Sequence, residues 1–172
     1  MALPSSRDFD AVDAGPLPAA TVNNLQDAVV GGKHGEKTLL LAGSMLSDGS
    51  GANPIDWVDG IVLGHTSGTS IANAPIPLCA GDRIKTIKVY IDDGASSAFT
   101  VTYYVLDLTS SAGTPVLDSD SDTSSGGGGQ EVVELDGINY TLTATGAAYV
   151  KINIPTGNNN RIKGVTVLYD RP

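Results

Sequence analysis

Alternation of apolar and polar residues in the second half of the chain constrains the fold more than any other feature. Apolar side chains recur at every second position in four segments: Ile87, Val89 and Ile91; Phe99, Val101, Tyr103 and Val105; Val150, Ile152 and Ile154; Val165, Val167 and Tyr169. A period of two places these side chains on one face of each strand. Turn-rich segments separate the strands at roughly ten-residue spacing, as in antiparallel sandwiches. The sequence predicts an all-β fold, an antiparallel β-sandwich of two sheets with one shared core, over residues 38–172.

Local breaks in this pattern give further predictions. In Arg83–Ile91, Ile84 is out of phase with the later apolar residues, which predicts a β-bulge near Lys85-Thr86. The pair Asp136-Gly137 predicts a hairpin. Residues 64–74 and 118–130 have the composition of loops. The apolar run in Lys37–Leu46 is short and lies between glycine-rich segments, so we expect a buried strand.

The N-terminal region differs from the sandwich. Residues 1–18 contain three prolines and predict an extended arm, in which Phe9 is an aromatic anchor. Residues 19–31 follow Pro18, end at Gly31-Gly32 and predict one short helix. Its apolar stripe of Val22, Leu25 and Val29 has to pack on something, because a helix this short is marginal in water. The stripe either folds back on the sandwich or mediates self-association around a two-fold or three-fold axis.

Charge and composition exclude several partners. The chain of 172 residues has a net charge of −9 and no basic stripe, which argues against nucleic-acid binding. Apolar runs are far shorter than the roughly 20 residues that span a bilayer, so no membrane partner is expected. The N-terminus lacks the pattern of a signal peptide, and we expect synthesis in a cytoplasm.

Catalytic residues are scarce. The chain has two histidines, His34 and His65, and one cysteine, Cys79, which is little material for a metal cluster or a nucleophilic pair. We predict no enzyme activity, no catalytic residues and no cofactor.

One acidic segment is a candidate metal site. Asp118, Asp120 and Asp122 alternate with serine, and alternating acids can supply oxygen ligands to Ca²⁺. The positions that an EF-hand fills with glycine and glutamate are here Thr123 and Gly129. A solvated acidic turn is therefore the favoured interpretation, and Ca²⁺ binding is the alternative.

Two aromatic residues are candidate ligand platforms. Tyr104 points away from the inferred core by its strand phase, so its ring is available for a sugar. Trp57 is the sole tryptophan, and we interpret it as a core or seam residue more readily than as a platform.

The residues also resemble a known class of protein. Gly15–Asp27, followed later by Gly81-Asp82-Arg83-Ile84 and Lys163–Tyr169, resembles virion proteins of tailed bacteriophages, in which a short proline-led helix precedes a jelly-roll sandwich. This resemblance implies a non-enzymatic structural protein of the particle, located in the virion and synthesised in the cytoplasm of a bacterial host. It also implies a homotrimer that contacts the major capsid protein or another virion protein.

We therefore expect a trimeric capsid decoration protein, anchored through its arm and helix. The alternative is a head-fibre or tail-fibre module that binds a receptor or carbohydrate.

Overall fold

The computed structural model describes residues 36–49, 53–64, 67–94, 97–111, 115–157 and 159–171. Within these ranges the chain forms twelve strands and one short 3-10 helix, Gly43–Met45. The strands are β1 Glu36–Ala42, β2 Ser47–Asp48, β3 Asp56–Val58, β4 Ile61–Leu63, β5 Ser70–Ile76, β6 Arg83–Asp93, β7 Thr100–Asp107, β8 Val116–Thr123, β9 Gly129–Leu135, β10 Tyr140–Thr141, β11 Gly146–Ile154 and β12 Arg161–Asp170. No described helix is long and apolar enough to cross a membrane.

The strands form two antiparallel sheets. In the seven-stranded sheet, β6 pairs with β12 on one side and with β9 and β10, end to end, on the other. Strand β12 pairs in turn with β1 and β4, and β3 pairs with β4. The five-stranded sheet has the order β2-β5-β11-β7-β8. The predicted all-β, jelly-roll-like antiparallel sandwich is confirmed.

The core lies between the sheets and uses the alternation predicted from sequence. Ile87, Val89 and Ile91 of β6 are buried, as are the predicted apolar residues of β7 and β11 and, in β12, Val165 and Val167. Tyr169, near the end of β12, is only half-buried. Burial of such side chains contributes about 1.5–3 kcal/mol each relative to exposure. The two sheets are therefore held together by one shared apolar layer.

The predicted bulge in β6 is confirmed. Thr86 pairs with Leu168 and Ile84 with Tyr169, so Lys85 is an extra residue on its strand. A second shift on β12 leaves Lys163 extra between Ile162 and Gly164. The extra residue explains why successive buried apolar side chains are three residues apart at each bulge: Ile84 and Ile87 in β6, and Ile162 and Val165 in β12.

Two of the predicted loops, residues 64–74 and 118–130, are corrected. Residues 70–74 belong to β5, where Ala72 and Ala74 are fully buried, because small residues fit the middle of this sheet. Most of the predicted loop 118–130 is strand, since residues up to Thr123 pair with β7 and those from Gly129 pair with β6.

The predicted hairpin at Asp136-Gly137 is wrong. Strands β9 and β10 both pair with β6 and run in the same direction, so residues 136–139 form a jog instead of a reversal. Gly137 has a φ of 69°, a left-handed conformation that suits glycine.

An ion-pair cluster joins the start of β6 to the end of the chain. Asp82 is buried, and its carboxylate accepts hydrogen bonds from Arg171 Nε at 2.9 Å and Arg171 Nη2 at 2.8 Å, and from the backbone N–H of Cys79 at 2.9 Å. These bonds, with Arg171 foremost, lower the pKa of Asp82. Next to this pair, Arg83 contacts Asp170 at 2.6 Å.

Candidate functional site

Two tyrosines stack on the outer face of the five-stranded sheet. Tyr104 of β7 pairs directly with Tyr149 of β11, and their ring centroids lie 5.2 Å apart with an interplanar angle of 19°. Both side chains are half-buried. Partial burial, and secondarily the neighbouring Tyr104, raises the pKa of Tyr149. The pair therefore offers aromatic surface and two hydroxyl groups on this face.

The strand register defines what surrounds the pair. Pro75 of β5 lies opposite Tyr149, and Ser119 of β8 lies opposite Tyr104. Serine is small, so the ring of Tyr104 has little covering it on the side that faces β8. We call these four residues, with the row described next, the tyrosine face.

Polar residues fill the adjacent row of the tyrosine face. Asn73, Lys151, Thr102 and Ser121 lie side by side across β5, β11, β7 and β8. Their side chains are half-buried or exposed. Among the described residues Lys151 makes no ion pair. An aromatic pair beside amide, ammonium and hydroxyl groups can hold a ligand that has both apolar faces and polar edges.

Sequence reasoning found one tyrosine of the pair and missed the other. The outward phase predicted for Tyr104 agrees with its position, and Tyr103 is buried as the same phase requires. The predicted platform residues do not include Tyr149, although it directly precedes the alternating Val150, Ile152 and Ile154. When that alternation is extended by one residue, it predicts that Tyr149 lies on the outer face with Lys151.

Trp57 is not part of the tyrosine face. It lies on β3, the outermost strand of the other sheet, and its exposed fraction is 48%. The interpretation of Trp57 as a core or seam residue is corrected: β3 has a partner on only one side among the described strands, so little packs over the indole.

The acidic segment is on an edge strand. Asp118, Asp120 and Asp122 pair with Val105, Tyr103 and Val101, so all three start from the core-facing side of β8. Asp118 and Asp122 are four residues apart, about 13 Å along a strand, whereas Ca²⁺ ligands lie about 2.5 Å from the ion. The described residues contain no group of three or more His, Cys, Asp or Glu side chains that could hold a metal ion. Inward-pointing charges on an edge strand also protect it from pairing with another sheet.

The outer face of the seven-stranded sheet has a different character. Leu40, Met45, Tyr90 and Val132 are exposed there, and we call these four residues the apolar face. Leu40, Met45 and Tyr90 line a groove of about 340 Å³ whose floor includes Gly164. The prediction of a buried strand in Lys37–Leu46 is correct for Leu41 but wrong for Leu40, whose exposed fraction is 72%.

The predicted anchoring residues lie outside the described ranges. Phe9, Val22, Leu25 and Val29 all precede Glu36, where the description begins. Their roles in assembly stay predictions, as do the arm over residues 1–18 and the helix over 19–31.

Comparison with known proteins gives a fold likeness only. No family model and no curated protein matches the chain. Solved structures that resemble it include CBM35 from Cellvibrio japonicus Abf62 (TM-score 0.47, 13% identity, 79% of this chain and 99% of that chain). The C-terminal CBM6 of LamC, a marine laminarinase from Zobellia galactanivorans, gives a TM-score of 0.47 at 16% identity over 76% of this chain and 98% of that chain.

A third similar structure is the CBM36-1 domain of a multidomain xylanase from the hindgut metagenome of Trinervitermes trinervoides (TM-score 0.46, 8% identity, 76% of this chain and 96% of that chain). At such low identity and similarity, these structures do not indicate what this chain binds.

Proposed function

We propose that this protein is a non-enzymatic binding module that takes a saccharide on its tyrosine face. The observation that supports this proposal is the stacked pair of Tyr104 and Tyr149 on an outward sheet face. Sugar rings have apolar C–H faces and polar hydroxyl edges, and exposed aromatic rings beside hydrogen-bonding groups complement both. In the adjacent row Asn73, Lys151 and Thr102 offer donors and acceptors for the hydroxyls.

A glycan array followed by calorimetric titration of the best oligosaccharide tests the proposal. We expect Tyr104→Ala to weaken binding by about tenfold or more, equivalent to about 1.4 kcal/mol. Tyr104→Phe should bind more tightly than Tyr104→Ala, because the ring is retained. Tyr90→Ala is the matched control, since Tyr90 is an exposed tyrosine on the opposite sheet.

Two results would contradict a saccharide site on this face. One is the absence of any saccharide ligand for the wild-type protein. The other is an oligosaccharide whose affinity falls equally in Tyr90→Ala and Tyr104→Ala, since binding would then not depend on the stacked pair.

We further propose a structural role in a bacteriophage particle, in which the protein self-associates and contacts other virion proteins. This second proposal extends the resemblance of Gly15–Asp27 and Gly81–Ile84 to virion proteins. The apolar face favours it, because exposed leucine, methionine, tyrosine and valine together are typical of a protein interface. Both roles are compatible in a fibre-type module, which would attach by one surface and bind a receptor by the other.

Sedimentation equilibrium of the full chain tests self-association. If the stripe of Val22, Leu25 and Val29 mediates it, Leu25→Asp should convert a trimer into a folded monomer with an unchanged β-sheet circular dichroism spectrum. A trimer of unchanged mass would eliminate this role for the stripe, and a monomeric wild-type protein would eliminate the homotrimer.

A further inference from the structure

The two sheets of the sandwich differ in how their charged residues are arranged. On the seven-stranded sheet, Lys85, Lys88 and Lys163 each have a carboxylate within 4.0 Å. On the five-stranded sheet, the strand register places the acids of β8 on the core-facing side and leaves neutral residues on the outer side. Lys151 of β11 is the one charged residue at the outward positions of the strands described for that sheet.

The ammonium of Lys151 is not neutralised within the described part of the chain. It forms no ion pair there, and its strand partners, Asn73 of β5 and Thr102 of β7, are both neutral. The residue is half-buried, so it has lost part of its contact with water. A cation on a face without acids attracts an anion, because the local potential is positive although the chain as a whole is acidic.

Solubility does not account for this lysine. The net charge of the chain is −9, and a net charge far from zero is what keeps a protein in solution. A lysine brings that charge closer to zero. The other positions of the same row hold asparagine, threonine and serine, which already supply donors and acceptors for the hydroxyl groups of a neutral sugar. The positive charge therefore adds something that a neutral sugar does not require.

Lys151 lies next to the stacked tyrosines. It follows Tyr149 by two residues on β11, which is about 6.6 Å along a strand and on the same side of the sheet. Because Tyr149 pairs with Tyr104, Lys151 is also the diagonal neighbour of Tyr104. Diagonal neighbours are about 7–8 Å apart, within the reach of a long side chain. The ammonium can therefore contact a group that projects from a sugar ring held by the tyrosines.

We propose that the saccharide bound by the tyrosine face is acidic, and that Lys151 pairs with its carboxylate or sulfate group. This inference rests on the proposed function, since the stacked pair has to hold the sugar ring. An ionised carboxylate only accepts hydrogen bonds, and Lys151, Asn73 and Thr102 present donors in one row. Hydrogen bonds between ionised groups are about twice as strong as neutral ones. Lys151 thus determines specificity for the charge, and the tyrosines contact the ring.

A glycan array that holds acidic oligosaccharides beside their neutral counterparts tests this proposal. Uronate probes are compared with their methyl esters, and sulfated probes with their desulfated forms, so the two arms distinguish a carboxylate from a sulfate. In calorimetric titration, we expect the best acidic probe to bind about fivefold or more tightly than its neutral counterpart. This preference should decrease as the NaCl concentration rises, because salt screens the charge of Lys151.

Substitutions of Lys151 separate charge recognition from a structural role. Lys151→Gln should weaken binding of the acidic probe by about fivefold or more and change binding of the neutral probe by less than about twofold. Lys151→Arg should keep the preference, because the cation is retained. Lys88→Gln is the matched control, since it removes the same charge from the other sheet and should leave both affinities unchanged.

Three results would overturn the acidic specificity. They are binding without preference for the acidic member of any pair, an equal loss for both members in Lys151→Gln, and an equal loss of preference in Lys88→Gln and Lys151→Gln. In each case a saccharide still binds, and a loss in Tyr104→Ala would show that the tyrosine face holds it, so the proposed function would stand. If no saccharide binds at all, both proposals fail.

Discussion

The two outward faces of the sandwich differ in the kind of contact that they favour. The apolar face of the seven-stranded sheet exposes Leu40, Met45, Tyr90 and Val132. On the five-stranded sheet, the tyrosine face has a stacked aromatic pair beside amide, ammonium and hydroxyl groups. Burial of aliphatic side chains is non-directional and suits a protein surface, whereas aromatic rings with adjacent polar groups orient a hydrated ligand. The same strand alternation thus produces one face with exposed aliphatic side chains and one face with aromatic and polar side chains.

The largest expected loss of stability comes from a substitution in the apolar core that lies between the two sheets. Ile87 of β6 is fully buried between the sheets, and Ile87→Ala should lower the free energy of unfolding by about 2–5 kcal/mol. We expect tryptophan fluorescence, which reports on β3, and far-ultraviolet circular dichroism to show one coincident urea transition. Separate transitions would mean that the two sheets, and therefore the two faces, are independent units.

A smaller loss of stability is expected from a substitution that affects one sheet more than the other. Asp82→Asn removes the charge that pairs with Arg171, and we expect a loss of about 2 kcal/mol. Because the pair joins residues that flank β6 and β12, hydrogen exchange should accelerate at amides of these strands and change little at β7 and β11. Uniform acceleration across both sheets would contradict a local role.

The Asp82 pair also predicts a pH dependence with a defined sign. The folded-state pKa of Asp82 lies below the ordinary aspartate value of about 4, so the pair stabilises the fold fully above that value. Its contribution should disappear as the pH falls through the lowered pKa. The stability difference between wild type and Asp82→Asn should therefore shrink between pH 5 and pH 2, as measured by urea unfolding. A constant difference over this range would argue against the ion pair as its source.

The smallest effect on folding is expected at the apolar face. Leu40→Asp changes a side chain with 72% exposure, so stability should change by about 0.5 kcal/mol or less. Self-association measured by sedimentation velocity should nevertheless weaken if this face is an interface. Leu108→Asp is the control, because Leu108 is 70% exposed in the turn after β7, away from the apolar face. Equal effects of the two variants would remove the distinction between this face and the rest of the surface.

The sequence predicts the parts of the fold that are determined by local alternation. Apolar alternation predicts strands β6, β7, β11 and β12 and the bulge at Lys85, because it indicates which side chains must be buried away from water. In β8 the pattern Asp-Ser-Asp-Ser-Asp has no apolar side, and its strand state comes from hydrogen bonds to β7 that no local signal encodes. The sequence predicts a hairpin at the jog of residues 136–139 because Asp-Gly indicates a bend but not the strand with which the chain pairs afterwards.

The candidate site also has a part that strand alternation predicts and a part that depends on tertiary packing. Tyr104 could be placed on an outer face from its strand phase alone, whereas its partnership with Tyr149 depends on the register between β7 and β11. Asp118 of β8 and Tyr140 of β10 line one cleft, and their proximity depends on how the edges of the two sheets meet. Such contacts between distant residues are set by tertiary packing, which a single sequence does not reveal.

The end-to-end arrangement of β9 and β10 along β6 has a consequence for sequence change. Residues 136–139 lie between two stretches that are each anchored to the same strand, opposite the bulge at Lys85. An insertion or deletion in this segment would alter the surface that residues 137–140 form opposite Asp118 and Asp120, and it would leave the pairing of β9 and β10 with β6 in place. The jog is therefore a position at which evolution or engineering can change the length and composition of the surface while the strand pairing of the fold is kept.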